Sequence, residues 1–271
     1  MTEAVTYAYA VARDDDGTLA TELSGLSGVA DAPVRLVRAG RNDGVVVAVS
    51  PVPAPDFREE ALHAHLEDME WLEAIARAHH RVIEAIAAHG TVLPLRLATV
   101  YLDEERVRLM LDDSREEFAD RLAELAGLEE WGVKIYVEDA PGTEDPAAPS
   151  TGADLSPGRA YLSHRKAQRH AREDAYRAAQ RVARDVAATA RRQAVARAQH
   201  RPQQGELARG PGENVVNDAY LVPRPAAHNF RAAVLRTAEE APGVRVEATG
   251  PWAPYSFAAS LEAEPAKKVT P

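Results

Sequence analysis

The stretch from Arg159 to Arg201 constrains the fold more than any other part of the chain. Its 43 residues are rich in Ala and Arg and contain neither proline nor glycine. At 1.5 Å per residue, an unbroken helix there would run to roughly 65 Å, longer than a small domain is wide. The pattern therefore predicts a long helix that kinks, splits or ends in a protruding tip. Its inward face is mostly alanine, with Val182 and Val186 one turn apart, which predicts close but thin packing. The block carries 12 Lys/Arg against three acids (Glu173, Asp174 and Asp185), on a chain of net charge −10. A basic element on an acidic body is a docking pattern, either within the chain or on a partner.

The rest of the chain mixes strand and helix signals. Val5–Val11 reads as an opening strand. Val34–Val37 and Val45–Val49 form a hairpin around Gly40-Arg41-Asn42-Asp43-Gly44. A helix is predicted from about Arg58 to His89, with Leu62, Leu66, Met69, Leu72, Ile75, His79, Ile83 and Ile86 on its apolar stripe and Gly90 past its end. Val92–Tyr101 reads as one strand with Pro94 near its start. Helices follow at Glu104–Leu111 and Ser114–Ala126, the second opened by a Ser114/Glu117 capping box. Trp131–Val137 is a strand, Glu138–Pro157 a Pro/Gly-rich loop, Gln203–Gly212 another loop. Val215–Val222 and Val244–Thr249 are strands flanking a helix at Ala226–Glu240, and a polar tail with Lys267-Lys268 ends the chain.

These orders give an α+β protein of two domains, 1–128 and 129–271. The helix crossovers of the second predict a modified ferredoxin-like fold with an extended C-terminal tail. At 271 residues the chain needs no staple to fold, and it has no cysteine, which removes disulfides, thiol catalysis and Cys-ligated zinc. Neither a secretory signal nor an apolar run long enough to span a bilayer is evident, so a cytoplasmic protein is expected.

Catalytic motifs are missing. Ser24-Gly25-Leu26-Ser27-Gly28 lacks the spacing of a nucleophile elbow and reads as a turn. Asp14-Asp15-Asp16-Gly17 is not a calcium loop, and no phosphate-binding glycine motif is present. His63, His65, His79, His80 and His89 share one predicted helix, but no pair is spaced i, i+4, so no metal or other cofactor is expected. His79 falls on the apolar stripe, as a satisfied core group or a polar group at an interface. Trp71 sits beside that stripe, either as packing or as a binding residue. The basic block could bind nucleic acid, but it interleaves only Tyr161 and Tyr176, and the chain as a whole is acidic.

Gly250-Pro251-Trp252-Ala253-Pro254-Tyr255-Ser256-Phe257 concentrates three aromatics and two prolines, in a chain that is only 6% aromatic. Such a rigid ribbon must dock, on its own domain or on a partner. With Tyr7-Ala8-Tyr9, Asp68-Met69-Glu70-Trp71-Leu72, His79, Val92-Leu93-Pro94-Leu95-Arg96, Trp131-Gly132-Val133-Lys134, Tyr161-Leu162 and Asn217–Val222, it makes the chain resemble the GvpL/GvpF family of gas vesicle proteins along nearly its whole length. Two departures are visible. Ala98 stands where that family usually has glycine, and Ala253 where it commonly has proline.

The resemblance implies a non-catalytic, minor structural or assembly protein of gas vesicles. It would bind the hydrophobic shell protein and other accessory proteins, with neither nucleic acid nor membrane as partner. Trp252, Tyr255, Phe257, Trp71, His79 and Arg96 are the partner-binding residues it suggests. The competing reading is a nucleic-acid-binding or regulatory module using the basic helix 159–201.

Overall fold

The computed structural model describes residues 3–40, 44–58, 61–62, 65, 67–138, 157–203 and 212–258, without the side chains of 157–162 and 164. The hairpin tip, most of the loops at 138–157 and 203–212, and the C-terminal tail lie outside these residues. The fold is mixed α+β with two sheets. The chain divides into two compact units, Met1–Leu128 with Trp252–Pro271, and Glu129–Pro251.

In the first unit the strands are β1 (Ala4–Arg13), β2 (Arg35–Arg38), β3 (Val45–Pro53), β4 (Val92–Pro94) and β5 (Val100–Tyr101). They run in the order β2-β3-β1-β4, with β5 also paired to β1. β1 and β3 pair antiparallel, with a register shift between Ala8 and Ala10. That bulge changes which side chains face the helix. Tyr7 and Tyr9 point into the same core as Ala10 and Ala12, which strict alternation forbids. β3 reads Val-Val-Val-Ala-Val because both its faces are covered. Val46 and Ala48 join the core under helix α1 (Met69–Ala87), while Val45, Val47 and Val49 are buried outside that cluster. Helices α2 (Glu104–Asp113) and α3 (Arg115–Leu125) also pack on β3.

Local chemistry sets the ends of these elements, and it corrects three expectations. The regular α1 begins at Met69 rather than near Arg58, because Asp68 takes an extended conformation and accepts from the Glu70 and Trp71 N–H groups. Met69 is then an exposed first-turn residue, not a core one. The predicted Val92–Tyr101 strand is broken after Pro94 by a turn in which Ala98 has φ 62°. Ser114 forms no capping bond, since it already ends α2 with φ −108° and ψ 17°.

The second unit holds β6 (Leu128–Val137), α4 (Pro157–Gln193), β7 (Ala196–His200), β8 (Glu213–Pro223), α5 (Ala227–Arg236) and β9 (Val244–Trp252), with sheet order β7-β8-β6-β9. α4 is a single helix of 37 residues, so the basic block neither splits into two helices nor stays helical to Arg201. Its last residues become β7, which pairs antiparallel with β8 from Ala196↔Leu221 to His200↔Asn217. Asp218 drives that switch. It is buried, accepts from the Arg197 guanidinium at 2.8 and 3.1 Å, and accepts from the Tyr220 hydroxyl at 3.1 Å. Ala175, Ala178, Ala179, Val182, Val186 and Ala190 carry α4 onto the sheet beside Phe230 and Val234 of α5. The packing is as thin and close as the alanine face predicts.

Gly28 has a packing role. A Cβ there would lie 2.1 Å from the Tyr9 hydroxyl oxygen and 2.9 Å from Ser50 Oγ. The hydroxyl is fully buried and accepts from the Val29 N–H at 2.8 Å, so it has nowhere to move. Gly28→Ala should therefore cost about 1–3 kcal/mol in urea unfolding. Gly90→Ala, with open space around it, should stay within about 0.5 kcal/mol of wild type. Equal stability of the two variants would contradict this packing.

Candidate functional site

A cleft of about 450 Å³ opens in the first unit. Ala76, His79 and His80 of α1 form one wall, and the strand and turn from Leu93 to Thr99 form another. Tyr101, Met110 of α2, Phe118 of α3, Tyr255 and Ala258 complete the lining. Most of this surface is apolar, with Arg96, His80 and the Tyr255 hydroxyl as convergent polar groups.

The floor of the cleft rests on a buried hydrogen-bond chain. The Ala98 N–H donates to Tyr7 Oη at 3.0 Å, and Tyr7 Oη lies 3.0 Å from His79 Nδ1. The Tyr7 hydroxyl, already an acceptor from Ala98, donates to Nδ1, which leaves the imidazole proton on Nε2. Burial pushes His79 down to about 4, helped by neighbouring His80 and opposed by a backbone hydrogen bond at Leu95. Only a carbonyl acceptor opposes in that sense, so Nε2–H donates to Leu95. Burial likewise raises the Tyr7 phenol above its ordinary value. Both groups stay neutral at pH 7 and act as structural ties from β1 through α1 to the cleft wall.

The aromatic ribbon supplies the remaining wall. Gly250 has φ 143°, and a Cβ there would meet the Glu130 carbonyl oxygen at 2.9 Å and the Trp131 ring at 3.1 Å. After Pro251 the chain rejoins the first unit, and Ala253 is buried in its core with Tyr255 packed alongside. Tyr255 Oη lies 2.9 Å from His80 Nδ1, and His80 Nε2 lies 3.1 Å from Glu84. Trp252, 37% exposed, holds its ring 5.5 Å from His80. Arg121 donates to the Phe257 carbonyl at 2.5 Å.

Of the six residues singled out from sequence, the cleft gathers His79, Arg96 and Tyr255. Trp71 instead packs on Phe57 and stacks on His65 at 4.7 Å, an internal role. Trp252 and Phe257 lie along the ribbon outside the lining. Sequence reasoning missed His80, although Ala76 and His80, one turn apart, share a face with each other. It also missed Leu97, Tyr101, Met110 and Phe118. The last two reach the cleft from separate helices, and no local spacing signals that. Among the described residues, no three His, Asp or Glu side chains gather as a metal-ligand set. No helix among them is long and apolar enough to cross a membrane.

A family model described as gas vesicle synthesis protein GvpL/GvpF matches residues 5–259, and the chain belongs to that family. Gas vesicle protein L of Streptomyces sp. (strain CB03234) is 42% identical over 261 residues, covering 96% of this chain and 95% of that protein. Gas vesicle protein F of the same strain is 27% identical over 259 residues, covering 93% and 98%. The crystal structure of the gas vesicle protein GvpF from Anabaena sp. PCC7120 shares the fold. Its TM-score is 0.61 at 19% identity, covering 94% of this chain and 96% of that one. The family gives this protein a gas vesicle-related role.

The neutral His79 makes stability depend on pH. Its folded value of about 4 lies below the ordinary 6.5, so the unfolded chain binds more protons between them. The contribution is complete above pH 6.5 and is lost as pH falls towards 4, by about 2 kcal/mol at pH 5. His79→Gln should remove that part of the slope. Parallel stability–pH profiles for wild type and variant, measured by urea unfolding from pH 7.5 to 5, would show that His79 is not held neutral.

Proposed function

We propose that this member of the GvpL/GvpF family is a non-catalytic, minor structural or assembly protein of gas vesicles. On this reading it works in the cytoplasm and on the vesicle, binding the hydrophobic shell subunit and other accessory proteins while the vesicle is built. The observation that carries the reading is the apolar cleft of the first unit. A subunit destined for a gas-tight wall exposes apolar surface before it assembles. The cleft offers Leu97 and Met110 to such a surface over a buried floor that includes Leu93 and Phe118, with Arg96 and the His80–Tyr255 pair to orient it. Leu97 is 38% exposed and Leu102 72% exposed, which leaves apolar side chains in reach of a partner.

The architecture behind this reading is two-domain, with a boundary at Leu128/Glu129 and a ferredoxin-like second domain. The β-α-β-β-α-β order of β6 to β9 and the sheet order β7-β8-β6-β9 support it. The segment from Trp252 is counted to the first unit.

Leu97→Asp places a charge on the exposed rim, where folding should tolerate it. It should weaken binding of the purified shell subunit by about tenfold or more, the scale of a central interface anchor. Trp252→Ala, also at an exposed site, reports on the ribbon. Wild-type affinity in both variants, each with an unchanged unfolding midpoint, would remove the cleft and its ribbon from the interface.

A further inference from the structure

The second unit carries a groove of about 980 Å³ along α4 between Arg165 and Arg181, walled by Glu138 and the Pro242-Gly243 turn. Its floor is small: Ala171, Ala175 and Ala178 line it, and a Cβ at Gly243 would lie 3.1 Å from Ala175 Cβ. Its edges are cationic, with Arg165, Lys166, Arg169, Arg172 and Arg181 against Glu138 and Asp174. Both carboxylates have a cation of their own. Asp174 pairs with Arg177 at 2.7 Å and Glu138 with Arg245 at 3.1 Å, and those two arginines lie outside the lining. Arg169 and Arg172 are held by Glu173 and Glu213. Lys166 and Arg181 have no hydrogen bond or ion pair among the described residues.

We propose that this groove binds an extended acidic peptide segment of a partner protein. From Arg165 to Arg181 the helix rises roughly 24 Å. An extended chain covers that span in about seven or eight residues. The alanine floor lets a backbone approach closely, and the cations at the edges meet alternate acidic side chains. Nucleic acid fits less well. The lining holds no aromatic ring for a base to stack on. A chain of net charge −10 also repels a long polyanion, whereas a short acidic segment sees mainly the charges within a screening length of about 8–10 Å. The inference stands on the second unit alone and does not need the cleft to bind shell subunit.

The test uses the full chain and a fluorescein-labelled Glu/Asp-rich peptide of about eight residues, followed by anisotropy at low salt. Saturable binding that weakens as salt rises is expected, with none to the Gln/Asn isostere. Lys166→Glu/Arg181→Glu should weaken it at least about tenfold, because both attractions become repulsions. Arg184→Glu/Arg191→Glu makes the same change of net charge on the same helix outside the groove, and should retain most of the affinity. All four positions are exposed, so the variants should keep the wild-type unfolding midpoint. Three results would overturn the proposal: no peptide binding, equal loss in the two double variants, or tighter binding of labelled DNA of matched length than of the peptide.

Discussion

The first unit depends on the bond between Tyr7 and His79. It joins β1 to α1, 72 residues along the chain, and both partners are buried. The same tyrosine oxygen accepts from Ala98, which sits at φ 62°, where a side chain with a Cβ costs roughly 1 kcal/mol or more. The Ala8 N–H donating to the Thr99 carbonyl at 2.9 Å secures the other side of that turn. Losing either partner of the Tyr7–His79 pair would leave a buried polar group unmatched, at about 1–3 kcal/mol. The strained turn would then lose its main anchor, and with it the wall that carries Leu95, Arg96 and Leu97. Positioning of the cleft and stability of the core are thus one problem.

Most residues that mark the family serve this kind of tie. Tyr7-Ala8-Tyr9 forms the bulged strand, Asp68 caps α1, Gly250 makes room for Trp131, and Asp218 holds Arg197 and Tyr220 across β7 and β8. The ribbon that looked most like a docking element is partly structural as well. Ala253 is core, and Tyr255 is a wall tied to His80. Arg96, Leu97 and Trp252 are exposed on segments joined to those ties.

The strands and helices were largely legible because their periodicity records one-sided or two-sided burial. β1, β3, β6, β8 and the core part of α1 follow directly from it. The errors fall where a polar side chain or a single backbone angle overrides the pattern. Asp68 stops a helix that apolar spacing alone would extend, and Ala98 breaks a run that reads as strand. Asp218 draws Arg197 into a sheet although the alanines and glutamine around it favour helix. The glycine usual at position 98 in the family was the one hint of a special angle there. A smaller part of the candidate site was legible for a similar reason. His79, Arg96 and Tyr255 stand out by composition and context, whereas Met110 and Phe118 are ordinary helix residues that tertiary packing alone turns towards the cleft.

The two candidate surfaces differ in the physics they use. Binding in the cleft would rest on removing apolar area from water, which salt leaves largely intact and excluded salts strengthen. Binding in the groove of α4 would rest on charges on exposed side chains, which salt screens within about a nanometre. A partner held at one surface would therefore respond to conditions that leave a partner at the other untouched. The alanine-rich helix makes this economy possible. Its buried face needs only small side chains to pack on the sheet, so its exposed face is free to carry arginine without any core residue giving way.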